Sequence, residues 1–166
     1  MSYTKTIWEN LPSTNTPINA TNLNKIENEL QIIDTNVTSN TAEIENLKTN
    51  KILWQGEGSF MNENQIVDLT ENISDQNTGI VLVFSAYSNG STQNWGWSSH
   101  FVPKKIVELF NNGLHSFSIA ENEGTGIRSS KYLYIENKKI KGHVNNVGTH
   151  GSVNNSLAVL RYVIGV

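Results

Sequence analysis

Between residues 23 and 51 a core-type position returns at every third and fourth residue, and it is apolar almost throughout. Taking Leu23 as position a, the a set is Leu23, Leu30, Val37, Ile44 and Lys51, and the d set is Ile26, Ile33, Asn40 and Leu47. A strict seven-residue apolar period keeps one seam turned toward a partner helix and winds a left-handed coiled coil. A lone helix of this polarity cannot bury that seam, so the repeat predicts an oligomer. Leu at a with Ile at d moves the preference from two strands to three or four. Asn40, a polar residue at d, gives up stability to fix register and copy number. The expected assembly is a parallel homotrimer joined along Leu23, Ile26, Leu30, Ile33, Val37, Asn40, Ile44 and Leu47. The alternative is an amphipathic helix packed on its own domain, and Asn at d argues against it.

The rest of the chain divides around that repeat. Residues 1–18 hold Pro12 and Pro17, Trp8 and a Thr/Asn-rich run, which reads as an extended arm without a core. Asn19 suits an N-cap, and Ile18 can staple onto Leu23. A helix is expected over 19–51. From residue 52 the period changes to two. Candidate strands are Ile52–Gln55, Gln65–Leu69, Gly79–Tyr87, Trp95–Val102, His115–Ala120, Lys131–Ile135, Lys139–Val144 and Leu157–Val166, with a helical turn over Pro103–Asn112. Short strands between polar turns predict a β-sandwich or barrel-like head over 52–166. The fold class is therefore mainly β with an N-terminal α-helical coiled coil.

Two strands are apolar on both faces. In the third, Ile80, Leu82 and Phe84 oppose Val81 and Val83. In the last, Leu157, Val159 and Val163 oppose Ala158, Leu160, Tyr162 and Ile164. One face serves the core and the other requires cover, which neighbouring subunits of a trimer can supply. Arg161 interrupts the last strand. A lone buried guanidinium is prohibitive, so it is expected to meet a carboxylate or backbone carbonyls, across the subunit interface.

Composition narrows function. Asn occurs 24 times, against 12 Lys plus Arg and 15 Asp plus Glu; amides rather than charges solvate the surface. No basic stripe favours nucleic acid, no apolar run is long enough for membrane insertion, and the first residues do not read as a secretory signal. Without Cys there is no disulfide, thiolate metal site or Cys nucleophile.

The run Trp8-Glu9-Asn10 through Pro17-Ile18-Asn19-Ala20-Thr21-Asn22-Leu23-Asn24-Lys25-Ile26-Glu27 resembles a segment common in tail and baseplate proteins of phages infecting Gram-positive bacteria. Lys131-Tyr132-Leu133-Tyr134-Ile135 and the ending Val159-Leu160-Arg161-Tyr162-Val163-Ile164-Gly165-Val166 look like the β-rich heads of such receptor-binding fibres. Val37-Thr38-Ser39-Asn40-Thr41-Ala42-Glu43-Ile44 resembles a layer of trimeric fibrous coiled coils in which inward Asn amides surround an anion or water. The resemblance implies a virion protein, made in the host cytoplasm. Its arm, with Trp8, would dock on a baseplate or tail protein, and its head would bind a host cell-wall polysaccharide or teichoic acid for adsorption. A structural baseplate component binding another virion protein is the runner-up, and an envelope depolymerase the third reading.

For saccharide binding the best residue types are Tyr87, Asn94, Trp95, Trp97 and His100, with Arg128 for a phosphate or carboxylate. The alternatives stay open: Trp95 and Trp97 share a strand face with Phe101 and would suit a core or an interface, and Arg128 would suit a solvated turn. His143 and His150 flank an Asn/Gly loop, but the four His lack carboxylate partners at ligand spacing. Asp75 opens a calcium-like run without its closing Glu. Glu121 and Glu123 lack an apolar setting. No cofactor, metal or catalytic residue is expected.

Overall fold

The heptad stretch folds as one 29-residue helix, α1 (Ala20–Lys48). Leu23, Leu30, Ile33, Val37 and Ile44 all stand exposed on it in the single chain, Val37 by 57%. Ile26 is half-buried and Asn40 exposed. The computed structural model describes residues 20–48, 50–119 and 128–166. The arm with Trp8, the Asn19 cap, the Leu47 side chain, Glu121 and Glu123 lie outside them. The chain forms two compact units, 1–48 and 49–166. The helix stops three residues short of the expected end. Lys51, assigned above to position a, instead opens a strand opposite Gly165 and pairs with Glu71 at 3.3 Å. Cross-strand pairing of the β-favouring run Ile52-Leu53-Trp54 overrides the heptad there.

The second unit is mainly antiparallel β, as expected, with a curled first sheet. Its elements are β1 (Lys51–Ser59), β2 (Ile66–Asp68), β3 (Gly79–Ser88), β4 (Ser91–Thr92), β5 (Ser98–Pro103), α2 (Lys104–Leu109), β6 (Gly113–Ile119), β7 (Ser129–Ile135), β8 (Lys139–Lys141), β9 (Thr149–His150), β10 (Val153–Asn154) and β11 (Ala158–Gly165). One sheet runs β1-β11-β3, with β4 and β5 both pairing β3; a second runs β2-β8-β7-β6; β9 and β10 form a small ribbon. Leu53, Ile80, Leu82, Phe84, Leu160 and Val163 from the first sheet meet Val67, Ile119, Leu133, Ile135 and Ile140 from the second in one core. The expected strand Trp95–Val102 begins only at Ser98, because Gly96 turns the chain at a φ of +65°.

β11 departs from the simple alternation read from the sequence. Its pairing with β3 slips between Leu160 and Tyr162. Arg161 occupies that bulge, so Leu160 and Val163 both reach the core instead of facing opposite ways. A bulge inserts one residue and flips the parity of everything after it.

Lys131 is the anomaly of the core. On β7 it lies between Ser129 and Leu133 on the inward face and is 0% exposed. Its Nζ donates to the carbonyls of Phe60 (3.2 Å), Asn146 (2.8 Å) and Asn155 (2.6 Å). The two Asn side chains, also buried, complete the edge of β7 that β8 leaves open. Ser130 N–H donates to Asn155 Oδ1 (2.6 Å), Tyr132 N–H donates to Asn146 Oδ1 (2.7 Å), and Asn146 Nδ2 donates to the Tyr132 carbonyl (2.8 Å). The amides thus stand in for a missing strand.

Burial pushes the Lys131 ammonium down to about 7. It also lowers His100 and His115, and His115 Nε2 is buried without a hydrogen-bond partner. All three shifts act in one direction. The unfolded chain holds these protons to about 10.4 for Lys and about 6.5 for His, so it binds more protons than the native state as pH falls. Stability should rise with pH from about 7 toward about 10.4 and fall below about 6.5. Urea midpoints across pH 5–9 check this: Lys131→Met should flatten the alkaline limb, and His115→Phe should flatten part of the acid limb. Lys131→Met should also cost roughly 2–4 kcal/mol at neutral pH, because two buried carbonyls and one part-buried carbonyl lose their donor. An unchanged midpoint would refute that cost.

Candidate functional site

The guanidinium of Arg161 organises a groove on the first sheet. Opposite its bulge, β1 also breaks register between Gln55 and Ser59, so Gly56, Glu57 and Gly58 arch away from the sheet. A Cβ at Gly58 would run into Thr92, and its φ of +136° suits glycine alone. Arg161 fills the arch. Its Nε donates to the Gly56 carbonyl (3.2 Å), and Nη1 lies 3.4 Å from Ser85 Oγ, 3.4 Å from the Gln93 carbonyl and 3.5 Å from Asn94 Oδ1. The guanidinium carbon stands 5.4 Å from the Trp97 ring centroid and 5.9 Å from that of Tyr162, within cation–π range. The expectation of carbonyl partners is met, but within one chain.

A turn supplies the opposite wall. Ser88 and Ser91 pair across a two-residue loop, Asn89-Gly90, with both φ angles positive; Asn-Gly favours that hairpin. Gln93 then anchors the returning chain: its N–H donates to the Ala86 carbonyl (2.9 Å), and its side-chain amide donates to the Ser88 carbonyl (2.9 Å). Trp97 Nε1 donates to the Asn94 carbonyl (3.1 Å). The resulting groove is about 520 Å³ and is lined by Glu57, Tyr87, Ser91, Thr92, Asn94 and Arg161 together with Gly58 and Gly90. Tyr87 is braced edge-on by Phe60 at 4.6 Å, and the Phe60 ring in turn lies 5.5 Å from the Lys131 ammonium.

Of the residues read as saccharide contacts, Tyr87 and Asn94 line the groove and Trp97 caps its arginine. Trp95 and Trp97 are 37% and 47% exposed, so neither is the core residue of the alternative reading. His100 goes elsewhere: the strand alternation turns it inward, with ring centroids 5.9 Å from Phe84 and 5.5 Å from Phe117, and Ser98 Oγ at 3.0 Å. Arg128 is exposed and bridges Val153 through its backbone, on the second sheet's side of the chain order. His143 and His150 each bond local backbone, to Asn145 N–H and the Val147 carbonyl. Among the described residues no three His, Asp or Glu side chains gather at metal-binding distances. Arg161, Glu57 and Thr92 were not read as site residues from the sequence. The signal for Arg161 was present, a single charge in an otherwise apolar strand.

Chemically the groove presents one cation, one carboxylate, hydroxyls, an amide and aromatic faces. That set suits a polyhydroxylated or phosphorylated ligand, with rings for apolar sugar faces and donors for oxygens. No known family model matches the chain, and no curated protein sequence matches it. Arg161→Lys should keep the charge yet lose the fork that joins Gly56 to the turn. Amide exchange at Ala86 and Gln93 should then speed about tenfold, equivalent to about 1.4 kcal/mol; unchanged exchange would mean that the turn holds itself.

Proposed function

We propose that this chain is a trimeric phage tail or baseplate fibre whose head binds a host cell-surface polymer, a wall saccharide or teichoic acid, for adsorption. The observation that carries the reading is the Arg161 groove. It joins a fixed cation, the half-exposed Trp97 ring against that cation, and hydroxyl and amide groups on a hairpin at one end of a sheet. Glu57 is the one carboxylate among its lining residues, whereas glycoside hydrolysis ordinarily uses two; this favours binding over cleavage. The exposed heptad seam of α1 supports trimerisation, since a solitary helix gains nothing from a bare apolar stripe. Three tethered sites convert weak single contacts into avid ones. In this reading Asn40 lies on the coil axis around water or an anion, and the arm with Trp8 meets the baseplate.

Measurements of assembly and of wall binding check it. Light scattering should give three times the 18.5 kDa chain, and Asn40→Ile should raise the melting temperature while loosening copy number or register. Lower stability with an intact trimer would mean that Asn40 is not inward. Purified host wall should retain the protein, and Trp95→Ala should weaken each contact by on the order of 1 kcal/mol with the fold intact, enough to collapse trivalent retention. Wild-type protein that ignores the wall but binds virion proteins would replace this reading with the structural baseplate one.

A further inference from the structure

The face of the second sheet that points away from the core carries a hollow chemically unlike the Arg161 groove. Along β7 the alternation that buries Leu133 and Ile135 leaves Tyr132 and Tyr134 half-buried on the other side. Tyr134 pairs across the sheet with Leu114 on β6 and Lys141 on β8. Beyond Lys141, Gly142 lets the chain pass close to Met61 and Asn62; a Cβ there would collide with both of their carbonyls. His143 is then tied to the same turn, its N–H donating to the Met61 carbonyl (2.9 Å). This sets the imidazole beside both tyrosines, with ring centroids 5.7 Å from Tyr132 and 5.9 Å from Tyr134. Another turn brings Asn112 to the rim: its φ is +61° and its N–H donates to the Ile135 carbonyl (2.9 Å). The hollow is about 410 Å³, and Glu63, Asn112, Tyr134, Lys141, His143 and Val144 line it.

We propose that this hollow is a second binding site, which takes the ring of a neutral saccharide. The inference depends neither on the trimer nor on the Arg161 groove. Charge selects the ligand first. The two ionised residues of the lining, Glu63 and Lys141, cancel, and Lys141 is already engaged: its ammonium pairs with Glu136 and donates to Asn112 Oδ1 (3.3 Å). The bond from Lys141 holds the Glu136 carboxyl below the usual carboxylate range. A phosphate would therefore meet Glu63 with no uncommitted cation in the lining to offset it. Hydrogen bonding selects next. His143 Nδ1 accepts from the Asn145 N–H (3.1 Å), so the neutral imidazole carries its proton on Nε2. That Nε2–H, the Tyr134 hydroxyl and the Glu63 carboxylate have no partner among the described residues. A wholly apolar ligand would leave them stranded, whereas ring hydroxyls both donate and accept. The Tyr134 and His143 rings, with Val144 53% exposed beside them, offer apolar surface to the C–H face of the same ring. The volume lies within the range of small-molecule sites.

Amide NMR spectra of the full-length protein test this. The ligands are the methyl glycosides of glucose, galactose, rhamnose and N-acetylglucosamine, with glycerol phosphate as the charged comparison, each raised to about 50 mM, above the millimolar Kd of a single weak contact. The expected result is a saturable shift of the Gly142, His143 and Val144 amides with at least one glycoside and none with glycerol phosphate. Tyr134→Ala should then raise the Kd of that glycoside about tenfold, the loss of one ring contact. If Tyr134→Ala fails to fold, His143→Ala, which lies beyond the end of β8, decides by the same reading. The proposal is overturned if none of these glycosides moves those amides, if the folded variant binds as tightly as the wild type, or if glycerol phosphate moves them as strongly. Glycoside shifts confined to Tyr87, Asn94 and Trp97 would assign the sugar to the Arg161 groove, removing this site while leaving the proposed function standing. Failure of the wild type to bind host wall, with the Gly142 shifts present, would do the reverse.

Discussion

A fully buried lysine amine holds the head together. Lys131 gathers the carbonyl of Phe60, from well before it in the chain, and those of Asn146 and Asn155, from one segment after it. Desolvating the charge is expensive, and only acceptors fixed at hydrogen-bond distance offset that cost. Those acceptors are not in regular strands. Two belong to short 3₁₀ turns, Val144–Asn146 and Asn155–Leu157, whose side-chain amides finish the β7 edge. The same lysine holds the carbonyl of Phe60, whose ring braces Tyr87 at the groove. Core polarity and groove geometry are thus coupled through one residue pair.

Much of the architecture was legible in the sequence, and the exceptions have identifiable causes. The shift from a seven-residue to a two-residue period placed the helix and most strands, because it reflects which faces meet apolar neighbours. It misjudged Lys51 and the start of the strand before His100, where cross-strand pairing and the Gly96 turn compete with local pattern. Parity in β11 failed at the Arg161 bulge, since periodicity carries no record of an inserted residue. Lys131 was invisible for a different reason: its acceptors are main-chain carbonyls, which leave no mark in a sequence.

The groove was half legible. Tyr87, Asn94 and Trp97 were recognisable as ring and amide residue types near a turn, and an Asn-Gly hairpin brings them together. His100 carried the right chemistry on the wrong side of its strand, where it packs on Phe84 and Phe117 instead. Arg161 and Glu57 come from β11 and β1, far from the turn in sequence. Only the register of the sheet makes them neighbours of Asn94, and register is a property of long-range pairing.

The hairpin tip at Asn89-Gly90 has space around it but a fixed backbone. A Cβ built at Gly90 would meet no atom within 4 Å, yet the φ angles of Asn89 and Gly90, 51° and 75°, lie in the left-handed region that favours Asn and Gly. Ser91 beside them is tied in as well, its Oγ accepting from Gln93 Nε2 at 2.8 Å. Chain geometry rather than crowding therefore limits the tip, so a larger side chain there would meet backbone strain before it met a neighbour.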